Sequence, residues 1–177
     1  AEGARDIADR LMASLGSIAA AIDTRDQGER IARDIEARHE RVTRAASTRP
    51  PVRFAYLIWR EPWMTVNADT FVSALLTDVG GRNVFADRAD RYPTITPREL
   101  GAAEADVVLL STEPFPFKDS HADELAKLSG VPGERMRIVD GEMLSWHGSR
   151  TPAGIDYAER VITDAGDLAP AGQHPPG

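Results

Sequence analysis

The chain of 177 residues contains no cysteine, which removes disulfide bridges, thiolate metal ligands and thiol nucleophiles together. Positive charge is in short supply, with 21 Lys and Arg against 28 Asp and Glu and a net charge of -7. Without surplus cations to neutralise phosphates, nothing drives nucleic-acid binding. No run approaches the roughly 20 apolar residues of a membrane-spanning helix. The phosphate-cradling patterns G-x-x-x-x-G-K-[ST] and G-x-G-x-x-G are both missing, which argues against nucleotide binding. The four histidines, at 39, 121, 147 and 174, form no i, i+4 pair. No metal site built from protein ligands, and no cofactor, is therefore read from the residues. What is present, 42% hydrophobic and 28% charged residues, suits one globular domain, or one lobe with an appendage.

Two helical segments come first. Ile7, Leu11, Leu15, Ile18 and Ile22 recur at steps of three and four and form one apolar stripe over residues 4–22, weakened in the middle by Gly16. Thr24 followed by Gln27 reads as a capping box for a second helix with Ile31, Ile35, Val42 and Ala46 on one side. At about 20 residues, or roughly 30 Å, that helix is long enough to cross a whole domain, and it ends before Pro50 and Pro51.

From Val52 strands alternate with helices. Residues 52–58, 107–110 and 136–139 read as buried strands, and 83–85 as a short extra one. Residues 71–79 read as a helix stopped by Gly80 and Gly81. Thr96-Pro97 with Glu99 gives a capping box and a proline at the first helical position. Helices are also expected over 120–128 and from Thr151-Pro152 to about 165. The alternation predicts parallel pairing with right-handed crossovers, hence an α/β fold with a small parallel, Rossmann-like sheet behind a long helix. The segment 167–177, rich in Pro and Gly, is expected to be disordered.

Open parallel sheets bind ligands beyond the carboxyl ends of their strands. The loops expected there hold all three tryptophans, Trp59, Trp63 and Trp146, together with Tyr92, Phe115 and Phe117. Arg60, Lys118, His147 and Arg150 lie among them. Large rings on loops are either buried or bind something, and guanidinium forks hold carboxylates or phosphates. A bulky ligand with a flat or apolar body and anionic groups fits that mixture. Prolines 62, 114 and 116 stiffen the same loops, which lowers the entropy cost of binding. Three other readings stand beside this one: the rings cap the sheet as ordinary core, they are buried against another chain, or Ser111, Asp140 and His147 act as the triad of a small hydrolase. The last lacks a G-x-S-x-G elbow.

Four blocks in order, Y-L-I-W-R-E-P-W-M-T-V-N-A-D-T-F (56–71), G-G-R-N-V-F-A-D (80–87), L-L-S-T-E-P-F-P-F-K (109–118) and D-G-E-M-L-S-W-H-G-S-R (140–150), resemble the C-terminal lobe of a known family. It is that of the helical-backbone (class III) periplasmic substrate-binding proteins of ABC importers, which capture siderophores and vitamin B12. The resemblance spans about residues 28–165 and does not specify the ligand.

It implies two α/β lobes joined by one long rigid helix, with a metal chelate (ferric siderophore, haem or cobalamin) held between them and passed to an ABC permease. The chelate carries its own metal, so no ligating residue, cofactor or catalytic group is expected of the protein. Residues 1–23 would be a remnant of the N-terminal lobe, 24–47 the connecting helix and 50–166 the C-terminal lobe. An N-terminal lobe of about a hundred residues is expected before the helix in such proteins, so the chain holds half of a cleft, and self-association of that half-site is expected. Carried over by position, Trp59, Arg60, Trp63, Tyr92, Phe115, Phe117, Trp146, His147 and Arg150 would line the wall, and Glu113 or Glu142 would dock the permease. The resemblance also implies a periplasmic or cell-surface location, with membrane association only through the permease or a lipid anchor outside this chain.

Overall fold

The computed structural model describes residues 25–146 and 148–168. The helix expected over 4–22, the cap at Thr24, the whole of His147 and the end of the tail lie outside the described residues.

Helix α1, Arg25–Ala46, is amphipathic: Ile35 and Val42 are buried and Ile31 is partly so, while most of its other side chains face water. After Pro50 and Pro51 the chain enters β1, Val52–Trp59, and β2, Met64–Thr65. Helix α2, Phe71–Asp78, starts where the Thr70 hydroxyl accepts from the Ser73 amide at 3.3 Å. It stops at Gly80, whose φ of 102° favours glycine. Strand β3, Gly81–Asn83, leads through a long ordered loop to α3, Pro97–Ala102, where both halves of the Thr96–Glu99 capping box are made. Then follow β4, Val107–Ser111, α4, Asp119–Ser129, a 3-10 turn at Gly133–Arg135, and β5, Met136–Val139. Two helices close the chain, α5, Gly141–Ser145, and α6, Thr151–Leu168.

The sheet runs β2-β1-β4-β5. Strand β4 pairs parallel with β1 (Phe54 opposite Val107) and with β5 (Val108 opposite Met136). The other edge of β1 is shared: β3 pairs parallel with its first half and β2 antiparallel with its second. Both faces are covered. Phe54, Tyr56, Val107 and Leu109 pack towards α1, α2 and α6, whereas Ala55, Leu57, Val108 and Leu110 pack towards α3 and α4. Burial on both faces is why β1 and β4 read as nearly unbroken apolar runs.

Two sequence expectations shift. The short strand lies at 81–83, earlier than 83–85, because the Asn83 carboxamide accepts from the Phe85 amide at 2.9 Å and turns the chain there. Helix α6 opens at Thr151, as expected; its first turn closes through Gly154 N–H to the Arg150 carbonyl at 2.9 Å, and the Thr151 hydroxyl is buried without a hydrogen-bond partner among the described residues. Residues 141–145, read as loop, form α5, whose five residues are too short to show helical periodicity.

Candidate ligand-binding site

A cavity of about 490 Å³ opens beside the carboxyl end of β1. Its floor is Tyr56, Ile58 and Trp59 of β1 with Met64 and Val66 from the β2 region. The first turn of α2 closes one side through Thr70, Phe71 and Val72. Arg91 and Tyr92 come from the long loop, and Glu113, Pro114 and Ser145 complete the rim. The lining is mostly apolar with a few polar groups, the usual make-up of a small-molecule site.

The strand register sets the floor. Tyr56 and Ile58 point to the α1, α2 and α6 side of the sheet, where β1 runs past the end of α2. The Tyr56 hydroxyl donates to Ser111 Oγ at 2.9 Å, and Ser111 Oγ in turn donates to the Glu113 carbonyl at 2.5 Å. The Glu113 amide donates back to Ser111 Oγ at 3.2 Å. Burial pushes the Tyr56 phenol above its ordinary range, and the hydrogen bond to Ser111 pulls the other way.

That chain fixes the loop carrying Glu113 and Pro114. It also occupies Ser111, which is fully buried, while the Asp140 carboxylate caps α5 by accepting from the Met143 amide at 3.1 Å. Neither group is arranged as a nucleophile and its orienting acid, so the hydrolase reading gains no geometric support.

The structure divides the sequence-predicted wall into three groups. Trp59 and Tyr92 line the cavity and are 40% and 50% exposed, so they present apolar surface to it. Phe115, Trp63 and Phe117 form a ring cluster behind Trp59. Trp59 meets Phe115 edge-on at 5.6 Å, Phe115 meets Phe117 at 4.8 Å, and Phe117 stacks on Trp63 at 6.0 Å. Phe117, only 3% exposed, is core against α3 and α4 and not cavity wall. Burial of its ring in that layer is the ordinary-core reading, correct for this residue and for most of Trp63. Trp146, 50% exposed, stands apart with Arg150, whose guanidinium lies 5.2 Å from its ring. His147 lies outside the described residues.

The expected anion-gripping arginines are already engaged. Arg60 forks onto Glu124 at 3.0 and 2.9 Å and pairs with Glu61 at 2.8 Å, and its guanidinium holds the Glu124 carboxyl below the usual range. Arg150 pairs with Glu142 at 2.6 Å. Glu142 is thus half of an ion pair, whereas Glu113 stands exposed on the rim.

Reasoning from loops overlooked Tyr56, Ile58, Met64, Val66 and Arg91. Strand alternation could have found the first two, since Tyr56 and Ile58 share a face of β1. Arg91, inside a run rich in Arg and Asp, carried no signal of its own.

No protein-family model matches the chain. It is 23% identical over 136 residues to the vitamin B12-binding protein of Vibrio cholerae, an overlap of 77% of this chain and 48% of that protein. Among solved structures, the periplasmic vitamin B12 binding protein of Vibrio cholerae superposes with a TM-score of 0.72 at 18% identity, covering 89% of this chain and 62% of that one. The periplasmic heme-binding protein from Roseiflexus sp. RS-1 gives 0.73 at 22% identity with coverages of 89% and 62%. An ABC-type Fe3+-hydroxamate transport system from Saccharomonospora viridis gives 0.69 at 16% identity, covering 88% and 56%. The first two are, by name, periplasmic binding proteins for vitamin B12 and heme. The chain therefore shares the fold of part of these periplasmic binding proteins, and it spans about half the length of the curated relatives it matches.

Proposed function

We propose that this chain is the C-terminal lobe and connecting helix of an ABC-importer substrate-binding protein. The protein captures a metal chelate, a ferric siderophore, haem or cobalamin, in a cleft between two lobes and delivers it to the permease. The observation that carries this reading is the cavity at the carboxyl edge of the sheet, where Trp59 and Tyr92 present half-exposed rings beside the single cationic side chain among its described lining residues, Arg91. Exposed rings next to a mostly apolar hollow suit a large ligand with a flat or greasy body. The structural relatives support the reading, because the proteins they represent bind vitamin B12, heme or take part in iron-hydroxamate transport.

On this reading the cargo supplies its own metal, the protein needs no cofactor, and a periplasmic or cell-surface location follows. Glu113, on the rim and outside any ion pair among the described residues, is better placed than Glu142 to meet a basic surface of the permease.

The test is to express the gene product that carries this chain and titrate it with ferric siderophores, haem and cobalamins while following tryptophan emission. Trp59 at the cavity makes saturable quenching by at least one of these the expected result. Absence of saturable quenching by all three classes would overturn the proposal.

A further inference from the structure

A ligand with anionic groups needs a cation in the cavity wall, and the described arginines differ sharply in whether they are available. Arg60 is held by Glu124 and Glu61, Arg150 by Glu142, and Arg88 by Glu99 at 2.6 Å. To grip a ligand, each would first have to leave a carboxylate already in contact, so the exchange gains little. Arg91 is different. Its side chain lines the cavity and makes no hydrogen bond or ion pair with any described residue, although Asp87 and Asp90 lie close by in the chain.

The backbone beneath Arg91 is fixed. Its carbonyl accepts from the Asn67 amide at 3.1 Å, and the Pro93 carbonyl accepts from Thr65 at 3.0 Å. Further along, Ile95 N–H donates to the Trp63 carbonyl at 2.9 Å. The Asn67 carboxamide holds the Arg88 carbonyl at 3.0 Å. Residues 88–95 are thus laced onto the β2 edge, and Arg88 pins the same loop to α3 through Glu99. An uncommitted guanidinium on a rigid loop, next to the Tyr92 ring, is a preorganised fork for a carboxylate or phosphate.

Resting on the function proposed above, we infer that Arg91 is the specificity-determining residue of the cavity, holding the carboxylate or phosphate of an anionic ligand whose apolar body lies against Trp59 and Tyr92. Arg60 and Arg150, which sequence reasoning placed in that role, are instead structural: they fasten the β1 loop to α4 and the last loop to α5.

The experiment compares the wild-type gene product with R91A and R91K. The probes are haem, which carries two carboxylates, haem dimethyl ester, which carries none, cyanocobalamin, which carries a phosphodiester, and a neutral ferric trihydroxamate. Dissociation constants come from tryptophan quenching. The expected result is that R91A binds whichever anionic probe the wild type prefers about tenfold more weakly or worse. R91K should recover part of the loss, while binding of the dimethyl ester or the trihydroxamate stays unchanged. Haem and cyanocobalamin separate a carboxylate from a phosphate source. Equal affinities of wild type and R91A, or a wild type that takes only the neutral probes, would overturn the role of Arg91 and leave the binding function standing. A wild type that binds none of the four would overturn both. Because the side chain makes no hydrogen bond or ion pair with a described residue, R91A should melt close to the wild type, so a changed affinity reports on the site.

Discussion

Single side chains do two separable jobs around the cavity, building its floor and closing its interior layers. The hydroxyl of Tyr56 is the link between the floor and the Glu113 loop, so Tyr56→Phe should lower stability by about 1 kcal/mol, the usual net worth of one buried hydrogen bond. The loss stays modest because Ser111 keeps its contacts with the Glu113 backbone. Chemical denaturation at neutral pH measures it. Gly141 is a harder constraint: a Cβ there would stand 2.3 Å from Ser111 Oγ and 2.7 Å from the Glu113 amide nitrogen. Gly141→Ala should therefore cost roughly 1–3 kcal/mol and shift the Glu113 loop, visible as a changed chemical shift or quenching at Trp59. In the middle of the sheet, Leu109 is fully buried, and Leu109→Ala should cost about 2–5 kcal/mol by the same denaturation measurement.

The elements were legible in the sequence where a local signal and the tertiary context agreed. Thr96, Pro97 and Glu99 announced α3, and the structure makes both halves of that box. Apolar runs announced β1, β4 and β5 because both faces of the sheet are covered. What stayed hidden was short or non-local. Strand β2 has two residues held by β1 and by the Met64–Thr94 bridge, and α5 has five. Around the candidate cavity, the loop aromatics were legible as a group, but not which would turn inward. Phe117 and Trp63 went to the core because the layer against α3 and α4 needed filling, a choice set by packing across the sheet and invisible in their neighbours along the chain.

Charge pairing between elements has a pH signature. The Arg88 guanidinium, with the Thr96 amide and hydroxyl, lowers the Glu99 carboxyl from 4.5 to about 2. The carboxyl is more acidic in the folded chain than in the unfolded one. Its contribution is therefore complete above about pH 4.5 and is lost as the pH falls from there towards 2. Glu99→Gln should lower the melting temperature at pH 7 and flatten its decline between pH 4.5 and 2, as followed by circular dichroism.

At the scale of the whole molecule, α1 is joined to the lobe along one side. A thin apolar seam of Ile35 and Val42 is flanked by ion pairs to α6: Arg38 to Asp156, Arg41 to Asp156 at 2.9 Å and Arg41 to Glu159 at 2.7 Å. Exposed pairs of this kind contribute about 0–1 kcal/mol each and are screened by salt. Arg41→Ala combined with Glu159→Ala in a double-mutant cycle should show a coupling of roughly 0.2–1 kcal/mol at low salt, shrinking as sodium chloride is raised. The sheet should keep its stability throughout, since its core does not depend on these charges.

The 22 residues of α1 amount to a rod about 33 Å long, and most of residues 27–30 are exposed. A rod rooted on so narrow a strip acts as a lever: tilting it by about 5° moves its tip by roughly 3 Å. The direction in which that tip points is therefore sensitive to the pairs that Arg38 and Arg41 make partway along the rod, and the ionic strength of the surroundings, which screens them, should act on it.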